Sequence, residues 1–273
     1  MTFEEIEYQP GAVARITLNR PEFRNAQSRV LLEELDLAFR EAQVDDSIRV
    51  VVLDGRGASF SAGHDLGSPP ELADREAHGF PNDRLGRYVR QRELFFDNTL
   101  RWRDFPKPTI AMVQGYCIFG GWMVASAMDL IFASSDAQFL PSHGQYFSLP
   151  GDVMGRKAKE ILFDGAFLTA AQAQELGLVN RVFPSATLEQ ETLAFAEKVA
   201  ARDPLTLRVI KFSVNQAQDA AGYTTSLRAA FHTQMMNAGL EDLRGRRPAG
   251  GPRRLDAVDQ ALRERAASEH ADD

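Results

Sequence analysis

Two glycine-bearing stretches decide the fold of this chain: residues 60–66 read FSAGHDL, and residues 115–121 read GYCIFGG. A short run that favours a buried β-strand precedes each of them, at residues 48–53 and at residues 109–113. Residues 122–128, directly after Gly120-Gly121, have the character of a short helix. The repeated order of strand, glycine-bearing turn and helix predicts an α/β fold.

Both stretches can expose backbone N–H groups at the mouth of a pocket. Small residues let a ligand approach the backbone closely, and two fixed N–H donors suit a carbonyl oxygen that gains negative charge. The start of the helix after Gly120-Gly121 would add positive potential there. Gly-Gly before a helix is more often only a close-packing turn. The pairing of the two stretches, rather than either alone, favours a binding site.

Composition narrows the range of partners. The chain has 273 residues, 44% of them hydrophobic, a formal net charge of −7 and a pI near 5.4. This size can bury a full core, and the acidic balance disfavours nucleic acid or an anionic membrane surface as the main partner. The single cysteine, Cys117, excludes an intrachain disulfide and a multi-cysteine metal site, so we predict no metal. An acidic N-terminus and the lack of a long apolar run predict a cytoplasmic protein.

The pattern along the chain changes near residue 186. We predict a core over residues 1–185, a helical subdomain over 186–240 and a charged Pro/Gly-rich tail over 241–273. Within the core, the Pro-rich acidic stretch 67–83 is typical of a mobile surface segment, and residues 84–103 favour a helix.

Ordered motifs carry a resemblance to the crotonase superfamily, the enoyl-CoA hydratases and isomerases. They run from residue 6 to residue 237 as ITLNRP with Asn25-Ala26, FSAGHDL, PKPTIA, QGY, Gly120-Gly121, Asp129-Leu130, AAQA and GLV. The resemblance implies a spiral of β-β-α units with a C-terminal helical region that forms a homotrimer or a dimer of trimers. It also implies an acyl-CoA substrate, with coenzyme A entering as part of the thioester and no covalently bound cofactor.

Residue roles follow from the same resemblance. The oxyanion hole of the family corresponds here to the N–H groups of His64 and Gly120. The turn from Ala62 through Gly63 to Asp65, together with the region of Arg24, corresponds to the site for the adenine and phosphates of coenzyme A. Gly121 belongs to the second stretch of the hole. An ordinary surface arginine is the alternative for Arg24.

The catalytic positions depart from the hydratase pattern. Hydratases of this family use two glutamates, and their positions fall here on Met123 and His143. Met123 cannot transfer a proton, so we expect it to line the pocket. His143 could act as acid or base, or could be a solvent-facing loop histidine. Asp152 could orient His143, while Tyr146 and Trp122 could form the acyl pocket or the core. Cys117 reads as a packed thiol.

Three functions remain open from the sequence. The first is an acyl-CoA enzyme that stabilises a thioester enolate, with His64, Gly120, His143 and Asp152 as catalytic residues. The second is a catalytically silent acyl-CoA binder, because both glutamates are missing. The third is a β-diketone C–C hydrolase that uses His143 and Asp152, whose spacing is similar in that branch. Similarity to an actinobacterial-type hydratase group permits another alignment, with a deletion between Phe139 and Tyr146, which would shift the position of His143.

Overall fold

A computed structural model describes residues 2–78, 83–141 and 146–243, together with 258–259, 261–263 and 266. The strands are β1 (Ile6–Gln9), β2 (Val13–Leu18), β3 (Val50–Gly55), β4 (Thr109–Val113), β5 (Tyr116–Ile118), β6 (Leu130–Ser134), β7 (Gln138–Leu140), β8 (Leu168–Thr169) and β9 (Arg181–Phe183). The helices are α1 (Arg29–Val44), α2 (Pro69–Ala77), α3 (Arg84–Arg90), α4 (Asn98–Arg103), α5 (Gly120–Ser126), α6 (Leu149–Asp152), α7 (Gly155–Asp164), α8 (Ala170–Glu175), α9 (Leu188–Ala200), α10 (Pro204–Ala220) and α11 (Tyr223–Leu243).

The larger sheet has the strand order β1-β2-β3-β4-β6-β9. Strand β1 is antiparallel to β2, and the remaining neighbours run parallel. Central strand β3 shows why the valine run forms a strand: Val51 and Leu53 belong to the main core cluster, whereas Val50 and Val52 belong to a cluster on the other face. The prediction of a strand buried on both faces is confirmed.

A second sheet, in the order β5-β7-β8, carries the second glycine stretch. Gly115 makes the sharp turn from β4 to β5 with φ of 55°, and a Cβ there would collide with the carbonyl oxygen of Ala58. Strand β5 pairs in parallel with β7. The pairs β4–β5 and β6–β7 each place one strand in each sheet and precede a helix in the element order, which is the β-β-α unit that the resemblance implies.

Residues 67–83, predicted to be a surface segment, are mostly exposed over the part that the structure describes, but residues 69–77 form a helix, α2, that was not predicted. Residues 79–82 of that segment lie outside the described residues. Its two prolines occupy the first helical positions, where no intrahelical N–H is needed, and Ser68 caps the helix through its side chain. Glu71 is buried and pairs with Arg75 at 2.7 Å and Arg90 at 2.6 Å. Proline therefore starts a helix here and does not mark a loop.

Residues 84–103 form one helical run, as predicted, but with an unexpected centre. Between α3 and α4 the segment Gln91–Asp97 is π-helical, an arrangement that is rare and usually short. It turns two consecutive side chains, Phe95 and Phe96, into the core. Phe96 stacks on Phe231 of α11 with ring centroids 4.8 Å apart, so this segment joins the core to the C-terminal helices.

The C-terminal helices differ in what they bury. Helix α9 packs Leu188 and Ala196 on the sheet, and α11 buries Tyr223, Leu227 and Phe231. Helix α10 has no fully buried residue and instead exposes a row of apolar side chains, each more than half accessible: Leu205, Val209, Ile210, Phe212 and Val214. No helix in the described part of the chain is long and apolar enough to cross a lipid bilayer.

A partly exposed ion pair helps to hold α10 to the core through the largely buried side chain of Lys211. Lys211 Nζ lies 2.9 Å from Asp129 Oδ2, and Asp129 also accepts a hydrogen bond from the Thr109 N–H at 2.8 Å. Burial lowers the pKa of Lys211, while the charge of Asp129 opposes that shift.

We predict that Asp129→Asn lowers the free energy of unfolding by about 1 kcal/mol, because it removes the counterion of the largely buried Lys211 ammonium while water screens the partly exposed carboxylate side of the pair. Adding Lys211→Met should recover much of this loss, since the double variant buries no unpaired charge. Urea denaturation of the two single variants and the double variant measures the coupling. Strictly additive losses would contradict the pairing.

Candidate active site

The first glycine stretch is held in place by the chain at residues 24–27. Ala62 N–H donates to the Arg24 carbonyl at 2.9 Å, Gln27 N–H donates to the Gly63 carbonyl at 2.7 Å, and Asp65 N–H donates to the Gln27 carbonyl at 3.0 Å. Gly63 has φ of 89°, a conformation that favours glycine. These bonds fix the backbone on both sides of His64.

The second glycine stretch packs directly on the first. Ile118 N–H donates to the Ser61 carbonyl at 3.0 Å, and a Cβ on Gly121 would lie 2.6 Å from that same carbonyl oxygen. A Cβ on Gly63 would lie 3.1 Å from the Gly120 nitrogen. The absence of side chains at Gly63 and Gly121 therefore lets two backbone segments meet. The two glycine stretches, whose pairing in the sequence favoured a binding site, are therefore in contact in the structure.

Gly120 and His64 are neighbours at this meeting point. A Cβ on Gly120 would lie 2.9 Å from both Cε1 and Nδ1 of the His64 ring. The half-buried His64 ring packs against Phe95 with centroids 4.1 Å apart. Within residues 2–78, 83–141 and 146–243, no acceptor binds the Gly120 N–H. The main chain at residues 63–64 and at residue 120 thus meets where the sequence predicted a carbonyl-binding site.

Asp65 fixes the turn that follows. Its Oδ1 accepts hydrogen bonds from the N–H groups of Gly67 at 3.0 Å and Ser68 at 2.8 Å, and its Oδ2 lies 2.9 Å from Arg20. Burial alone would raise the pKa of Asp65, but the bonds from Ser68, Gly67 and Arg20 outweigh burial and lower it. The Asp65 carboxylate is therefore ionised and bonded within the protein, and it holds the turn that leads into α2.

Arg24 lies beside the first stretch with its side chain exposed. It has φ of 51°, and its carbonyl bonds Ala62. The next residue, Asn25, is buried and donates through Nδ2 to the Ser59 carbonyl at 2.8 Å. Arg24 is thus placed at the edge of the predicted coenzyme A site. Its contact with coenzyme A stays a prediction.

The predicted pocket residues Met123 and Tyr146 are both buried. They join Trp122 and Cys117 in the main core cluster, and burial raises the pKa of the Cys117 thiol. A packed thiol was predicted for Cys117, and a packed thiol is found. The Tyr146 hydroxyl is buried and lies close to Tyr223. Burial also raises its pKa well above the ordinary value.

Asp152 lies in a polar cluster formed by residues from several helices. Tyr223, at the start of α11, donates through its hydroxyl to Asp152 Oδ1 at 3.5 Å. Arg103 lies over the Tyr223 ring, 4.8 Å from its centroid, and pairs with Asp219 at 3.1 Å. Gly151 leaves room for this contact, because a Cβ there would collide with the Tyr223 ring.

The cluster shifts the acidity of Asp152. Loss of water around the carboxylate raises its pKa to about 6, although the Ser148 hydroxyl, Tyr223 and Arg103 oppose the shift. The residue as a whole still has an exposed surface, so solvent reaches one side of it. A carboxyl group of this acidity can exchange protons near neutral pH. The predicted partner of Asp152, His143, lies outside the described residues.

Comparison with known proteins decides the family. The enoyl-CoA hydratase/isomerase family profile matches residues 8–239. The chain belongs to this family.

Individual relatives agree. A candidate enoyl-CoA hydratase of Mycobacterium tuberculosis is 39% identical over 257 residues, covering 86% of this chain and 81% of the relative. The 2,3-dehydroadipyl-CoA hydratase of Escherichia coli is 34% identical, covering 77% and 80%. The crystal structure of an enoyl-CoA hydratase/isomerase from Xanthobacter autotrophicus superposes with a TM-score of 0.79 at 32% identity, covering 100% of this chain and 99% of that one.

Membership confirms the crotonase-superfamily fold expected from the sequence, and the site has features that the sequence did not reveal. Gln27, Phe95, Arg103 and Tyr223 all contact predicted site residues, yet none was singled out. Gln27 directly follows the Asn25-Ala26 pair, but neither its burial nor its bond to the Gly120 carbonyl can be read from the sequence. Tyr223 and Arg103 gave no sequence signal, because they reach Asp152 through helix docking.

Two surface cavities, of about 480 and 490 Å³, lie away from the glycine stretches. One is beside Asp36 and Arg101, and the other is beside Lys107 and Leu205. Within the described residues, no group of three His, Cys, Asp or Glu side chains is arranged to hold a metal.

We predict that Gly121→Ala disrupts the site, because the new Cβ would contact a backbone oxygen that cannot move independently of the sheet. Loss of about 2 kcal/mol or more in the free energy of unfolding is expected from such overpacking, together with loss of coenzyme A binding by calorimetry. Gly155→Ala is the matched control, since a Cβ on Gly155 meets nothing within 4 Å. Equal behaviour of the two variants would contradict the close approach.

A second prediction concerns pH. The pKa of Asp152 is raised to about 6 from an ordinary 3.8, so the unfolded state releases its proton first as pH rises. Stability contributed by this group is therefore full below about pH 4 and is lost as pH rises through about 6. Asp152→Asn should be more stable than the parent protein at pH 7 and indistinguishable at pH 4 in urea denaturation. A difference that is the same at both pH values would refute the raised pKa.

Proposed function

We propose that this protein is an acyl-CoA enzyme that holds a thioester carbonyl between the N–H groups of His64 and Gly120 and stabilises the enolate formed from it. The observation that carries the proposal is the meeting of the two glycine stretches, because a Cβ on Gly63 would lie only 2.8 Å from the Ile118 oxygen and 3.1 Å from the Gly120 nitrogen. Removing a proton from the α-carbon moves an electron pair onto the carbonyl oxygen, and fixed N–H donors stabilise that charge.

A coenzyme A thioester fits the family and the surroundings of the hole. The E. coli relative is named as a hydratase of a CoA thioester. The exposed Arg24 side chain is next to the Ala62 backbone, where an anionic ligand would be attracted. Together with the 62–65 turn, Arg24 is our candidate for holding the adenine and phosphates. Coenzyme A would arrive and leave with the acyl group, so no covalently bound cofactor is needed.

Proton transfer is assigned to Asp152, with His143 as its candidate partner. Met123 has no titratable group and is buried in the main core cluster, so it is our candidate for an apolar wall of the acyl pocket beside Tyr146. The Asp152 carboxylate would take the α-proton, leave the electron pair on the thioester oxygen, and return the proton to carbon. Its raised pKa is suited to both steps near neutral pH.

The exposed apolar row of α10 supports assembly into a homotrimer or a dimer of trimers, because so large an apolar face is seldom left in water. A single buried cysteine is compatible with the reducing cytoplasm. The trimeric assembly and the cytoplasmic location are part of this proposal.

The proposal is tested by proton exchange, which does not require the acyl chain to be known. Butyryl-CoA in D₂O should lose its α-protons in the presence of the protein, as followed by NMR, and crotonyl-CoA hydration is followed in parallel. Asp152→Asn should slow exchange by about 100-fold or more, because general acid–base catalysis contributes that much. Asp164→Asn, at the exposed end of α7, is the control and should leave the rate unchanged.

Other results point to the alternatives. Coenzyme A binding with no exchange or hydration across a panel of acyl-CoA thioesters indicates a silent binder. Cleavage of a cyclic β-diketone without coenzyme A, lost in Asp152→Asn, indicates the C–C hydrolase. Failure to bind coenzyme A at all would exclude both the enzyme and the binder. Unchanged rates in His143→Ala would remove His143 from the proposed pair.

A further inference from the structure

Gln27 is buried, at 2% exposed, and its backbone lies alongside His64. Its N–H donates to the Gly63 carbonyl at 2.7 Å, and its carbonyl accepts from the Asp65 N–H at 3.0 Å. The residues before and after His64 are therefore both bonded to one residue. This pairing fixes the main chain on both sides of His64.

The Gln27 side chain reaches the other half of the hole. Its Nε2 donates to the Gly120 carbonyl at 2.9 Å, across 93 residues of sequence. Its Oε1 lies beside the Gly120 Cα, because a Cβ there would be 2.5 Å from that oxygen. Oε1 is buried and has no hydrogen-bond partner within the described residues. Gln27 thus contacts the hole on both sides, by backbone at residues 63 and 65 and by side chain at residue 120.

We infer that Gln27 is a positioning residue that fixes the spacing between the His64 and Gly120 N–H groups. The inference rests on the proposed function, because it concerns the same oxyanion hole. Donors stabilise a developing charge only if they are held in place before it forms. A misplacement of about 1 Å can reduce rate by about 100-fold. One residue that is bonded to both segments reduces their relative motion most directly.

A purely structural role for Gln27 makes a different prediction. The neighbouring Asn25 illustrates such a role, since its amide bonds the carbonyls of Arg56 at 3.0 Å and Ser59 at 2.8 Å and the N–H of Arg20 at 2.9 Å. No bond of the Asn25 side chain is to either glycine stretch. Loss of a structural amide lowers stability without changing how the hole distinguishes an enolate from a neutral ligand.

The probe is acetoacetyl-CoA, whose α-protons are acidic enough for the enolate to form on binding and to be followed by near-ultraviolet absorbance. The measured quantity is the ratio of the Kd of coenzyme A to the Kd of acetoacetyl-CoA, obtained by calorimetry. Gln27→Met keeps the length of the side chain and removes its amide. We expect the ratio to fall by between about tenfold and 100-fold, with the Kd of coenzyme A unchanged and the enolate absorbance reduced.

Gln27→Glu adds a pH signature. At high pH the introduced carboxylate cannot donate to the Gly120 carbonyl and repels an enolate, so the ratio should fall below that of the parent protein. Protonation at low pH restores an O–H donor, and the ratio relative to the parent should recover. Burial places this recovery above the ordinary carboxyl pKa of about 4.3. A structural amide would give no such pH dependence.

Gln114→Met is the matched control. Gln114 also donates through Nε2 to backbone carbonyls, including that of Gly57 at 3.1 Å, but has no bond to residues 63–65 or 120. The Gln114→Met variant should be less stable than the parent protein but should keep the parent ratio of the two Kd values. If Gln27→Met keeps the parent ratio, the positioning role is overturned and the proposed function stands. If the parent protein binds neither ligand, both are overturned. If Gln27→Met does not fold, an absence of pH-dependent recovery in Gln27→Glu overturns the inference.

Discussion

The close approach of Gly121 to the Ser61 carbonyl is the constraint on which the rest of the site depends. The backbone at Ser61 and the first turn of α5 can be this close only because glycine lacks a Cβ, and the nearby Phe119 has a positive φ of 42°. A non-glycine residue in this region costs about 1 to 3 kcal/mol. Phe119 is held there by hydrogen bonds from its N–H to Leu140 and from Met123 to its carbonyl, each at 2.9 Å.

A network of buried charged side chains lies beneath the first glycine stretch and helps to hold that stretch in position. Arg20, at 2% exposed, lies 3.0 Å from Glu5 and 2.9 Å from Asp65, so strand β1 and the turn before α2 are joined through one guanidinium. Such a network is expensive to desolvate and is tolerated only where its members are paired and bonded. Arg75 extends it by donating to the Asp65 carbonyl at 3.2 Å. The position of α2 is thereby linked to the backbone at His64.

Patterns within short stretches of sequence predicted part of this architecture. The valine run of β3 and the ordered motifs identified the sheet, the family and both glycine stretches. Helix α2 was missed because Pro69-Pro70 reads as a break in sequence, whereas the first turn of a helix needs no N–H. Gln27 was missed for another reason: its side-chain bond joins residues 93 positions apart, which no local pattern reports. The Tyr223–Asp152 contact likewise arises only when α11 docks.

If the His64 and Gly120 N–H groups hold a thioester carbonyl as proposed, the burial of Met123 has a physical consequence for the chemistry. An apolar side chain in the main core cluster excludes water, which strengthens the interaction of N–H donors with a developing charge. Loss of water likewise raises the pKa of Asp152, favouring its neutral form and making its carboxylate a stronger base. A site of this kind favours proton transfer to and from carbon over activation of a water molecule by two ionised carboxylates. The predicted placement of Met123 and His143 at the two glutamate positions therefore weakens the case for hydration more than the case for enolate chemistry.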